Sequence, residues 1–200
     1  MRKPYIFLIA MLSIMATSVS NAEEIVATPA KKNAIIVKLG AMTLSETEQT
    51  LLGSRATFEE NSTSVFDVEY ARKFGNNFSY GGEILHYKNA YSIFTQGDVE
   101  TFVGTANIKK YFDVATYFQP FIGAGIGFSV VDVTGPIEGG AAGFAASASI
   151  GAEIPFDYVG IHLEYRYVSS TADGETTDGR RTVDFNVGGS ALLAGVAIHF

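Results

Sequence analysis

From residue 33 onward, apolar and polar side chains alternate with a period of two, in segments separated by turn-rich stretches. This is the pattern of strands with one apolar and one polar face. Eight segments carry it, at about 33–43, 63–73, 78–88, 99–111, 118–130, 143–154, 158–168 and 184–200. In "YVGIHLEYRYV" the split is clean: Val159, Ile161, Leu163, Tyr165 and Tyr167 share one face, and His162, Glu164 and Arg166 share the other. It recurs as Phe66, Val68 and Tyr70 against Asp67 and Glu69, as Phe102, Ala106 and Ile108 against Thr105, Asn107 and Lys109, and as Phe144, Ala146, Ala148, Ile150 and Ile154 against Ser147, Ser149 and Glu153. The last segment sets Leu192, Ala194, Val196, Ile198 and Phe200 against Leu193, Gly195, Ala197 and His199. Termini are usually frayed and polar, so a tail this apolar is expected to be held inside something larger.

The connections alternate in length. "KFGNN", "DVAT" and "PFD" are short, whereas "LSETEQTLLGSRATFEENS", "NAYSIFTQGD", "VDVTGPIEGGAA" and "SSTADGETTDGRRTV" are long. That rule belongs to an antiparallel barrel in a membrane, with short periplasmic turns and longer outer loops. The predicted fold is all-β, an eight-stranded antiparallel up-and-down transmembrane β-barrel. Small soluble barrels alternate too, so orientation needs other signals. The bases on the apolar face, Arg72, Lys88 and Lys110, sit at strand ends, where they can snorkel. Aromatics gather around the short turns as an expected girdle: Phe74, Phe78, Tyr80, Tyr111, Phe112, Tyr117, Phe118, Phe156 and Tyr158, joined by Phe200. A looser set, Tyr87, Phe128, Tyr165, Tyr167 and Phe185, marks the other end, and with no tryptophan these rings must do all the interfacial anchoring.

Composition narrows the class. Two hundred residues at 47% apolar suit one domain and exclude a disordered chain. Arg2 and Lys3, the apolar "YIFLIAMLSIMA" and the small residues of "SNA" have the layout of a secretory signal at 1–22, cleaved after Ala22. Residues 23–32 read as a short periplasmic leader and 33–200 as the barrel. Without the signal, 12 bases face 21 acids, a net charge of −9, so no nucleic-acid partner is expected. There is no cysteine, so neither disulfides nor thiolate metal sites hold the fold. After the signal no apolar run approaches 18 residues, which excludes a helical span.

"YFQPFIGAGIGFS" at 117–129, "HLEYRYV" at 162–168 and "DFNVGGSALLAGVAIHF" at 184–200 together resemble the outer membrane protein β-barrel domain family, the eight-stranded OmpA-like and opacity-type barrels. The resemblance implies the outer membrane of a Gram-negative bacterium, contact with its lipid and lipopolysaccharide, and folding helped by periplasmic chaperones and the barrel-assembly machinery. The closing run Leu192, Ala194, Val196, Ile198 and Phe200 resembles the C-terminal signal read by that machinery. A monomer with a structural or adhesin-like surface role through its outer loops is expected, with host or cell-surface ligands as loop partners.

The polar face holds Lys38, Asp67, Glu69, Glu83, Asn107, Lys109, Glu153, His162, Glu164 and Arg166. Eight strands leave an interior only wide enough for side chains. These groups are therefore expected to pair across the lumen and block it, without metal, cofactor or catalysis. Five acids against three bases imply that His162 is charged or that one carboxylate keeps its proton. In "GAGIG", Gly123, Gly125 and Gly127 share a strand face and no helix follows, so a phosphate loop is excluded and the glycines are expected to make room for large inward neighbours.

Two rival functions remain. A lipid A-modifying enzyme would need serine, histidine and a carboxylate together near the outer surface. Only His86, with Ser92 and Glu100, offers this, and the deacylase-type pairing of histidine and serine on one strand is absent. A water-filled channel needs more strands, and a sideways conduit of the OmpW-like kind wants an apolar lumen, which the charged face opposes. Calcium at Asp173, Glu175 and Asp178 lacks regular ligand spacing.

Overall fold

The computed structural model describes residues 32–200 apart from 46–47, 52–53, 59–61, 76, 93–95, 113–116, 135–138 and 177–181, and only the backbone of strand residues 48–51, 54–58, 91–92, 96, 175–176 and 182–185. The expected signal segment with Ala22, and the leader up to residue 31, lie outside the described residues. The strands are β1 (Asn33–Leu44), β2 (Glu48–Leu51), β3 (Ser54–Phe58), β4 (Ser62–Phe74), β5 (Phe78–Ser92), β6 (Gln96–Tyr111), β7 (Gln119–Thr134), β8 (Gly139–Pro155), β9 (Val159–Thr176), β10 (Thr182–Asn186) and β11 (Gly189–His199). Among the described residues there is no helix.

Eight strands close into a ring in the order β1, β4, β5, β6, β7, β8, β9, β11 and back to β1, every pairing antiparallel. The seam is the tail that the sequence left unexplained. Val196 lies opposite Val37, and beyond the ladder Phe200 and Asn33 exchange backbone hydrogen bonds of 2.9 and 3.0 Å. Following partners around the ring from Ser62 through Thr43, Ser190, Tyr167, Ala148, Ala124, Ile108 and Tyr80 returns to β4 at Arg72, a stagger of 72 minus 62, or ten residues. With a rise near 3.3 Å and strands about 4.8 Å apart, that stagger tilts the strands by about 40°.

The wall is taller than the sequence pattern indicated. β5 and β6 run to within three residues of each other, and β7 and β8 to within four, so two connections expected to be long are short. The first long connection holds a hairpin, β2 with β3, and the segment expected at 184–200 is two strands parted at Val187 and Gly188. β3 pairs with the end of β5, β2 with β10, and β10 with β9. The wall thus continues past β4, β1 and β11 as β3, β2 and β10. The extension carries no outer apolar stripe because its alternation inverts. Outward positions turn polar at Lys88, Asp98, Glu100, Asp132 and Asp173, while inward ones turn apolar at Val99, Val131, Val133, Ala141 and Ala172. Below it the outer face is apolar, with Leu39, Ile126, Phe128 and Leu192 each at least 60% exposed. A continuous surface of this kind is one for hydrocarbon, not water.

Most of the expected girdle faces outward, namely Phe74, Tyr80, Phe112, Tyr117, Phe118, Phe156, Tyr158 and Phe200. Tyr111 does not: it shares the inward parity of Lys109, is buried, and lies 5.4 Å from the ring of Phe121. Tyr87 is also buried, donating its hydroxyl to the carbonyl of Val187, so it does not belong to the outer aromatic set. The side chain of Phe185 lies outside those described.

Gly123 is where β7 makes room for its neighbours: a Cβ there would stand 2.6 Å from Ser149 Oγ and 3.0 Å from Lys109 Cγ. Gly123→Val should therefore lower stability by about 1–3 kcal/mol through overpacking, read as an earlier midpoint in urea unfolding from lipid vesicles. An unchanged midpoint would show that the interior has slack at this level.

Candidate functional site in the barrel interior

Inward parity on seven of the ring's strands delivers charge to one level. β1 supplies Lys38, β4 Asp67 and Glu69, β5 Glu83, β6 Lys109, β8 Glu153, β9 His162, Glu164 and Arg166, and β11 His199. β7 supplies Phe121 and the glycines, the space the long basic side chains enter. Lys38 and Arg166, though they are among the longest side chains in the protein, are 0% and 2% exposed.

Arg166 organises the upper part of the cluster. Its Nη1 donates to Asp67 Oδ2 at 2.6 Å, its Nη2 reaches Glu83 at 2.6 Å and Glu164 at 2.5 Å, and its Nε donates to Glu164 Oε1 at 2.8 Å. The two lysines share acceptors. Glu69 Oε2 takes 2.8 and 2.7 Å bonds from Lys38 and Lys109, and Glu164 Oε2 takes 3.1 and 3.2 Å bonds from the same pair. Lys38 also lies 3.1 Å from Asp67, and Lys109 caps the ring of Phe121 at 4.8 Å. Thr105 donates to Glu83 at 2.7 Å.

A second group leads toward the chain termini. His162 Nε2 is 3.1 Å from Glu164, its other nitrogen is 3.8 Å from Glu153, and its ring stacks on Phe121. Glu153 in turn meets His199 Nε2 at 3.0 Å. Parity places His199 on the inward face, and that is the signal in the sequence that makes it a partner of the interior acids. With it, two imidazoles stand where five acids face three fixed cations. Asn107 faces inward between Thr105 and Lys109, but among the described residues no hydrogen bond joins its amide nitrogen to the cluster.

The chemistry open to this arrangement is limited. Glu69, His162 and Glu164, like Asp67, Glu69 and Glu83, come close enough to hold a cation. The lysine ammonium groups already take Glu69 Oε2 and Glu164 Oε2. A side chain lining a water-filled pore is wetted by it, and these are not. Above the charges the interior changes character: Met42, Val65, Leu85, Val103, Val168, Ala191 and Leu193 form one buried apolar cluster. The inner face is therefore not charged throughout, as the argument against an apolar lumen required. The apolar half is nevertheless filled by its own side chains.

On the outer face His86 Nε2 lies 2.8 Å from Glu100 and the ring stacks on Phe102, while the side chain of Ser92 is outside those described. Of the acids considered for calcium, Asp173 is exposed on β9, which runs to Thr176, while the Glu175 side chain and Asp178 lie outside the described residues.

The sequence matches no family model and no curated protein sequence. Its fold is matched among solved structures. Neisserial surface protein A aligns with a TM-score of 0.61 at 16% identity, over 86% of this chain and 98% of that one. The outer membrane protein OprG of Pseudomonas aeruginosa aligns at 0.59 and 13%, over 84% and 96%. AlkL, an outer membrane protein solved in lipid bilayers, aligns at 0.56 and 12%, over 90% and 96%. At such identities the likeness is one of fold, and the chain has the fold of the eight-stranded outer-membrane barrels, as the resemblance implied.

Removing one member should leave the buried carboxylates short of a cation. Arg166→Met takes the nearest cation from Asp67, Glu83 and Glu164 together, and should cost about 3–5 kcal/mol of folding stability by urea titration in vesicles. Asn107→Ala should cost far less. Equal losses would mean that the charges do not act as a unit.

Proposed function

We propose that the chain is an integral outer-membrane barrel of a Gram-negative bacterium, closed to axial passage, that serves as a rigid scaffold presenting its tall rim to partners outside the cell. The observation that carries the reading is the dry charge layer: seven strands converge on it, and its long side chains are unwetted. A closed lumen leaves the outer rim as the working surface, and binding function commonly sits on loops held by a rigid scaffold. On this reading residues 1–22 direct export and are removed after Ala22. The run Leu192, Ala194, Val196, Ile198 and Phe200, displayed on the outer wall of the seam strand, is the assembly signal, and the interior network is structural and not catalytic. Lipid and lipopolysaccharide surround the barrel, periplasmic chaperones and the assembly machinery deliver it, and a host or cell-surface ligand meets the rim.

A conduit for apolar molecules is the second reading. The apolar upper interior favours it, and the burial of the side chains lining that half opposes it.

Single-channel recording of the refolded mature protein in a planar bilayer separates the two. The wild type should stay closed, and a Lys38→Ala, Arg166→Ala double variant should leak ions. Stable openings in the wild type would make the charged interior a pathway and overturn the scaffold reading.

A further inference from the structure

At the end of the wall that carries the aromatic belt, β1, β4 and β5 bring three polar side chains to one level of the outer face. Asn33 lies opposite Arg72, and Arg72 opposite Tyr80. Their chain neighbours Ala34, Ala71 and Ser79 are the buried, inward residues, so these three point outward. Direct partners on such a face have Cβ atoms about 4.5–5.5 Å apart, which puts all three side chains within the span of one lipid head. Phe74, the next outward position on β4 toward the turn, packs edge-on against Tyr80 with ring centroids 5.4 Å apart, and both rings are exposed.

Arg72 is a charge that this surface leaves open. On the opposite rim the outward bases are matched, Lys88 with Asp98 and His86 with Glu100, each at 2.8 Å. Arg72 has no such partner among the described residues, and no carboxylate faces outward from 33–37, 70–74, 78–82 or 106–111. Its neighbours on the same level add donors. The Tyr70 hydroxyl donates to Asn33 Oδ1 at 3.0 Å, which leaves the amide nitrogen as the group to donate onward, and Tyr80 adds an exposed hydroxyl. A guanidinium flanked by donors suits a phosphate, which it holds bidentately. A cation without a counter-charge is costly beside hydrocarbon, and the aromatic belt marks the level at which lipid heads can supply one. A zwitterionic head would also bring an ammonium group, for which these strand ends offer no outward carboxylate.

We propose that Arg72, with Asn33 and Tyr80, binds the phosphate of one anionic phospholipid of the periplasmic leaflet, with an acyl chain along Ile35 and Tyr70 on the adjoining wall. The inference rests on the membrane placement proposed above.

The chain has no tryptophan, so single reporters are clean. Phe74→Trp reports on the site, and Phe156→Trp, an exposed position of the same belt between β8 and β9, reports on ordinary interfacial lipid. In phosphatidylcholine vesicles with a rising share of dibrominated phosphatidylglycerol, Phe74→Trp should reach half-maximal quenching at a mole fraction about fivefold below that of Phe156→Trp, the effect of one basic residue at a membrane surface. Adding Arg72→Gln should erase the difference, and Arg72→Lys, which keeps the charge, should restore it. Equal quenching at the two reporters, a difference that survives Arg72→Gln, or one that is absent with Arg72→Lys would overturn the site. An equal preference for dibrominated phosphatidylcholine, presented in unbrominated phosphatidylglycerol, would overturn the anionic assignment. No quenching at either reporter by either lipid would instead refute the membrane placement itself.

Discussion

Every feature of this barrel answers to one constraint: a closed ladder of eight strands staggered by ten residues encloses a space too narrow for water to share with side chains. Whatever points inward must find its partner there. In the lower half the inward positions are ionic, so Arg166, Lys38 and Lys109 draw the carboxylates of β4, β5 and β9 into one cluster. The room for those stems comes from glycines on neighbouring strands. Gly123 on β7 stands against Lys109, much as Gly195 on β11 stands against Lys38.

Buried ion pairs rarely add much net stability, since desolvation offsets their attraction. Their effect here is on specificity. Each carboxylate of the cluster has more than one cation in reach, so a slip of one residue in a strand that carries one of these charges would send it into hydrocarbon and strand its partners inside. The same alternation keeps apolar runs after residue 33 too short to be read as helical spans. Above the bilayer the requirement reverses. With water outside, the wall takes the pattern of a soluble barrel, apolar within and polar without, and Val99, Val131 and Val133 take up the role the ions play below.

Much of this was legible in the sequence, because a period of two assigns faces residue by residue. The strands, the inward position of each charged residue and the apolar seam ending at Phe200 all follow from parity. Nearness to a strand end is a poorer guide than parity, and the meaning of parity itself changes above the apolar belt. Tyr87 and Tyr111 lie near strand ends, yet each shares parity with an inward residue, Leu85 and Lys109 respectively, and parity decides their side. β2, β3 and β10 look like loop in the sequence, since their polar composition carries no lipid-facing stripe. Which charges would share an oxygen atom was not legible, because that depends on the stagger, a property of the closed ring and not of any one strand.

The central claim is that the charge layer is dry and locked. Its most direct test is amide and ammonium hydrogen exchange by NMR in lipid, following the side-chain NH₃⁺ groups of Lys38 and Lys109 with Lys73 as the partly exposed reference. The account predicts resolved, slowly exchanging ammonium resonances for the two interior lysines, coupled to the carboxylates of Glu69 and Glu164. Exchange as fast as that of Lys73 would place water among the charges and contradict a filled, closed barrel.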